Sequence, residues 1–164
     1  MQKSIPEPPS PSQASPDLPS PAQPFWETTA LADMSAAQWE SLCDGCGKCC
    51  LNKYEDEDTG DMHYTRVACR LLDHGTCRCT QYADRSRLVP DCITLTPEHL
   101  EKPGWLPETC AYRRLAEGRA LPPWHHLRCG DPEAVHRAGA SVRGRIVCES
   151  RVEDPLLHLV DWVR

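Results

Sequence analysis

The segment Cys43-Asp44-Gly45-Cys46-Gly47-Lys48-Cys49-Cys50 puts four thiols into eight residues of a 164-residue chain that holds eleven cysteines. Two cysteines separated by two residues can reach one metal ion, because the tight turn between them aims both sulfurs inward. Gly47, directly after Cys46, suits the backbone of a metal knuckle, whose free N–H groups point back at the sulfurs and stabilise thiolates. Gly45 relaxes the same turn. Redox pairs share a single C-x-x-C, but three thiols at this spacing with an adjacent fourth point to metal. Adjacent Cys49 and Cys50 are hard to aim at one tetrahedral ion without strain. They serve two different metals, or one ligates while the other packs.

More thiols follow at Cys69, at the close pair Cys77 and Cys79, and at Cys92 and Cys110. Nine cysteines suffice for two four-coordinate sites with one left over, or for one iron–sulfur cluster and one zinc. Cys43, Cys46 and Cys49 have the spacing of the run that holds a cubane cluster, which takes its fourth thiolate from a remote position. The usual Cys-Pro is absent, so that reading stands second. Cys77 and Cys79 read as a ligand pair. Spacing alone leaves Cys69, Cys92 and Cys110 evenly divided between ligands and small buried apolar residues.

The rest of the chain must position these thiols, and its composition favours metal over disulfides. A single Phe and sparse Leu, Ile and Val leave a thin apolar core that needs another support. The opening Met1-Gln2-Lys3-Ser4-Ile5-Pro6 shows no secretory pattern. No run approaches the roughly 20 apolar residues needed to span a bilayer. The expected location is therefore the cytoplasm, where thiols stay reduced, and an odd cysteine count pairs poorly in any case. The formal charge of −6 argues against a general nucleic-acid binder. From Cys110 to Arg151, arginines outnumber acids; a solvated surface balancing the acidic front half is the better reading of that excess.

The cluster in the form C-x-x-C-x-x-C-C resembles the YcgN-like cysteine-cluster family, a zinc- or iron-chelating domain of bacterial proteins. Asp56-Glu57-Asp58-Thr59, Val67-Ala68-Cys69, Val89-Pro90-Asp91-Cys92, the stretch from Trp105 to Arg113, and Trp124-His125 resemble it as well. The similarity runs from about Phe25 to Glu149. It implies a bacterial cytoplasmic protein and a metal-chelating role, and it brings Cys69, Cys92 and Cys110 into the site. His126, Cys129 and Cys148 depart from the family pattern, so Cys129 and Cys148 stay outside it. The expected metal set is Cys43, Cys46, Cys49, Cys50, Cys69, Cys77, Cys79, Cys92 and Cys110, holding zinc or iron.

Other candidates are weaker. The pair His125-His126 fits surface or packing better than ligation. The acidic run Glu55 to Asp61 is out of register for an EF-hand and reads as a solvated loop. Trp39, Trp105, Trp124 and Trp162 are expected to shield the thin core. No nucleophile elbow, phosphate-cradling glycine loop or His-Glu-x-x-His is present.

Residues 1–24, rich in Pro and Ser, are expected to be disordered, and 25–164 to form one cysteine-cluster metal-binding domain. Phe25-Trp26 docks the chain onto it. Ser35 to Gln38 has capping-box spacing and starts a helix over 36–42. A strand is expected around His63 to Ala68. Helices are expected from Thr96-Pro97, over Thr109 to Glu117 with Gly118 as the stop, and from Asp131 to Gly139. Val142 to Glu149 reads as a strand or hairpin, and Asp154-Pro155 as the cap of a C-terminal helix. The fold class is α+β: a small, irregular, loop-rich, cysteine-rich domain with short helices and few strands, organised around bound metal. The function expected is metal binding without catalysis, with metal ions as partners and no membrane. The alternatives are an iron–sulfur redox or radical enzyme, and an interaction module using the arginine-rich 110–151 segment.

Overall fold

The computed structural model describes residues 23–163. All but the last two residues of the tail expected over 1–24 lie outside the described residues. The α+β expectation holds for the rest, and its centre is one strand. Strand β2 (Met62–Ala68) buries Tyr64, Thr65, Val67 and Ala68, and all three other strands pair with it. Strand β1 (Leu51–Glu55) runs antiparallel to it, with Leu51 opposite Ala68 and Glu55 opposite Met62. Strand β3 (Val147–Cys148) is parallel to β2, with Val67 opposite Val147. Strand β4 (Leu159–Val160) is antiparallel, with Tyr64 opposite Val160.

The acidic run closes the β1–β2 hairpin. Asp56 Oδ1 accepts N–H bonds from Asp58 and Thr59, both at 2.9 Å, and Gly60 takes φ +74°. Short polar side chains that bond their own backbone two or three residues on make such turns. The run is a solvated loop, as read.

The α-helices are α1 (Phe25–Thr28), α2 (Ala36–Ser41), α3 (Arg85–Leu88), α4 (Ala111–Ala116), α5 (His126–Cys129) and α6 (Ala134–Arg137). None exceeds six residues, too short to persist in water alone, so packing holds them. The Ser35–Gln38 capping box opens α2. Gly118, at φ +69°, follows α4 where the expected stop falls. At Thr96-Pro97 the element is a 3-10 helix, Pro97–Leu100, and α6 covers only the middle of the expected span.

Two expectations near the C-terminus need correction. The strand or hairpin expected over 142–149 is a strand of two residues, β3, because a turn with Arg145 N–H on Val142 O at 3.0 Å and Gly144 at φ +75° takes up the first half of the span. The C-terminal helix does not form. A 3-10 turn, Pro155–His158, capped by Asp154 Oδ1 accepting from Leu156 N, leads straight into β4. The helical spacing of Leu156, Leu159, Val160 and Val163 misleads because the edge of β2 offers backbone partners there, and a β-branched Val suits a strand.

The apolar side chains form two separate cores. A sheet core holds Leu51, Tyr64, Ala68, Leu72, Cys77, Val142 and Val163. A helical core holds Leu42, Leu100, Leu106, Ala111, Tyr112 and Leu121, bordered by Phe25, Trp26, Trp39 and Trp105. Phe25 and Trp26 meet edge to face, 5.3 Å between centroids, and dock as expected. Trp162 borders the sheet core, while Trp124 belongs to neither core.

Candidate metal centre

The cysteine run leaves α2 and enters β1, so it spans the gap between the two cores. Its shape comes from two left-handed glycines, Gly45 at φ +74° and Gly47 at φ +75°. Glycine reaches that region without a Cβ penalty. A Cβ on Gly47 would also lie 2.8 Å from Val142 Cγ2, which seats the turn against the sheet core. Asp44, buried, accepts the Cys46 N–H at 3.0 Å through Oδ1 and tightens the first half of the turn. A 3-10 turn, Lys48–Cys50, completes it.

Cys43, Cys46, Cys49 and Cys110 share one neighbourhood, each acting on the charge of at least one of the others. Cys110 arrives from far along the chain as the N-cap residue of α4. The link between the segments is Lys48, 4 % exposed, whose ammonium donates to Thr109 Oγ1 at 3.0 Å. Cys43 and Cys49 remain open to solvent, yet protein atoms wall them in. Desolvation by these surroundings raises Cys43 to about 12 and Cys110 to about 11, and lifts Cys46 well above the ordinary thiol range. The Cys50 thiol donates a hydrogen bond to Cys49, which holds Cys49 down and pushes Cys50 up.

The second neighbourhood contains Cys50, Cys69, Cys79 and Cys92. The Cys69 N–H donates to the Cys50 carbonyl at 2.9 Å, one step beyond the Leu51–Ala68 pair. A bridge between Leu72 and Cys79 folds the next loop back onto that strand end. Burial raises Cys69 and Cys92, and each adds to the other or to Cys50 through its charge. Cys77 behaves differently. It is 3 % exposed in the sheet core, takes φ +55°, and turns its thiol to Arg143 and Ser141.

Cations surround both groups. Lys53 donates to the Cys49 carbonyl at 3.0 Å, Arg78 lies directly over Gly45, and Arg85 bonds the Cys92 thiol. Each lowers the cost of ionising the nearby thiol. These second-rank residues, with Asp44 and Lys48, escaped sequence reasoning. The only signal was position, inside or between the cysteine pairs.

The described residues contain no group of three or more His, Cys, Asp or Glu side chains converged closely enough to hold an ion as they stand. The donor chemistry nevertheless fits a thiophilic metal: neighbouring soft thiols, and cations to offset thiolate charge. The remaining candidates sit elsewhere. His125 is fully buried and neutral, with Nε2–H donating to Leu42 O at 3.0 Å and Nδ1 accepting from Leu127 N at 3.2 Å. It packs, as read. Cys129 turns to the carbonyls of Trp124 and Asp131, and Cys148 to Ser150. Within the arginine-rich segment, Arg113 and Arg119 pair with Glu117, Arg137 with Asp131 and Arg143 with Glu133.

Comparison with known proteins gives the same emphasis. Residues 42–111 match the CxxCxxCC family model, described as "Putative zinc- or iron-chelating domain". A UPF0260 protein of Gluconobacter oxydans is 59 % identical over 143 residues, 87 % of this chain and 88 % of its own. A UPF0260 protein of Pseudomonas aeruginosa is 55 % identical over 140 residues, 85 % of this chain and 91 % of its own. A third, from Rhizorhabdus wittichii, is 58 % identical over 139 residues, 85 % of this chain and 95 % of its own. No solved structure matches. No helix among the described residues is long and apolar enough to cross a membrane.

Proposed function

Because the chain belongs to the UPF0260 family and carries its metal-chelating cysteine domain, we propose that it is a cytoplasmic, non-enzymatic protein that holds zinc or iron through cysteine thiolates. The observation that carries this reading is the neighbourhood of Cys43, Cys46, Cys49 and Cys110, to which the buried Lys48 ties the Cys110 segment through Thr109. The Lys48 ammonium, which already feels Asp44, Cys46 and Cys110, offsets part of the negative charge that thiolates ligating a cation would carry. Desolvation holds the free thiols protonated, so uptake of metal releases protons and strengthens as pH rises. The domain is organised by that metal. The four-coordinate sites do not exist in the unfolded chain, so binding free energy is folding free energy.

Treatment with a strong chelator is expected to unfold the cysteine run and the sheet core packed on it, read as lost circular dichroism signal and a lowered thermal midpoint. An apoprotein that melts cooperatively at an unchanged midpoint would sink the proposal.

One observation favours a second reading, an iron–sulfur cluster in the first neighbourhood. Cys110 stands beside the Cys43–Cys46–Cys49 run as the remote fourth thiol that such clusters use. Protein purified without oxygen would then be brown and contain acid-labile sulfide. Colourless, zinc-saturated protein excludes it.

A further inference from the structure

We infer that the thiols form two abutting four-cysteine metal sites, Cys43–Cys46–Cys49–Cys110 and Cys50–Cys69–Cys79–Cys92, and that Cys77 belongs to neither. The inference rests on the chelation reading above and deepens it by dividing the ligands.

The backbone makes the division. In the Lys48–Cys50 turn, three residues complete one revolution, so successive side chains diverge by roughly 120°. Cys49 and Cys50 therefore leave the chain in different directions. The Lys48–Thr109 bond brings the Cys110 segment up to the turn that carries Cys49. Cys50 stands at the mouth of the β1–β2 ladder, where its carbonyl takes the Cys69 N–H.

Two anchors bring the remaining pair to that mouth. The Thr80 N–H donates to Leu71 O at 2.8 Å and Cys79 bridges Leu72, returning the loop to the end of β2. Arg70 Nη2 donates to Leu88 O at 2.5 Å, while its own N–H and Nη1 bond Glu149. That grip holds the turn in which the Cys92 N–H meets Val89 O at 2.9 Å. Among the described residues neither group converges on an ion as it stands, so loading would draw each set of sulfurs inward.

Cys77 fails on placement. Its side chain packs with Leu72 and Val142 under Gly47, and its thiol turns to Arg143 and Ser141. Each bound ion would displace thiol protons to solvent, with no change in oxidation state.

The test uses full-length protein, stripped and reloaded with zinc under reducing conditions, with metal counted per chain by mass spectrometry. Wild type is expected to hold two ions, Cys110→Ser one, Cys92→Ser one, the double variant none, and Cys77→Ala two. A wild type with one ion overturns the partition but leaves chelation standing. So does a ligand variant that loses both ions, or a folded Cys77→Ala that loses one. A wild type that takes up no thiolate-bound metal defeats the chelation reading itself. A variant-free check is cadmium NMR of the loaded wild type. Two resonances are expected in the four-thiolate range, coupled to the Cβ protons of the eight named cysteines. Coupling to Cys77 would overturn the assignment.

Discussion

The helical core and the sheet core solve the same problem with different materials. The helical core has Leu42, Leu100, Leu106, Leu121 and the Trp39–Tyr112 ring pair, 4.8 Å between centroids, and one cysteine at its border. The sheet core includes Cys77, borders on Cys50, and depends on two strands of only two residues. Apolar burial alone can hold the first. The second is stitched to the cysteine run, so its stability should follow metal content where that of the helical core does not.

Leu121→Ala gives the largest expected effect and tests the independent half. Leu121 is 2 % exposed, and such truncations cost about 2–5 kcal/mol through lost burial and the cavity left behind. Urea denaturation should show that loss with zinc per chain unchanged. A matching fall in zinc would erase the distinction between the cores.

Gly47→Ala should do the opposite. A left-handed Ala costs about 1–2 kcal/mol, and the clash with Val142 Cγ2 adds a comparable amount. Stability and metal content should fall together. A stable variant with full metal would break the proposed link between turn and core.

Ser35→Ala removes the α2 cap and is expected to cost about 1 kcal/mol, again without loss of metal. A drop in zinc would show that α2 helps to set the cysteine turn.

The smallest effect at neutral pH comes from His125, whose burial holds its pKa below the ordinary imidazole range. A depressed folded pKa contributes stability above the unfolded value of about 6.5, and that contribution is lost as pH falls. Urea midpoints of wild type should drop more than those of His125→Gln between neutral and mildly acid pH. The difference between the two proteins separates this effect from thiol protonation. Equal drops would place the acid sensitivity elsewhere.

Much of the cysteine turn was legible because glycine after a knuckle cysteine has a conformational reason, and φ +75° at Gly47 bears it out. The Ser35 box was legible for the same kind of reason, a local hydrogen bond. Strand β1 was not, since Leu51-Asn52-Lys53-Tyr54-Glu55 alternates weakly and draws its order from β2. The fate of Leu159 and Val160 was likewise decided by a strand remote in sequence. Cys77 and Cys79 look equivalent as a pair. Only a single left-handed residue and a core contact tell them apart.

The peptide bond between Cys49 and Cys50 has a consequence for how the proposed sites would fill. With ligands of both sites on neighbouring residues, an ion at either one freezes backbone that the other must also order. The second ion then meets a smaller entropic penalty than the first. By linkage each favours the other equally, so occupancy should rise steeply over a narrow range of free metal. The chain would exist mainly as empty or doubly filled protein, with the half-filled form scarce.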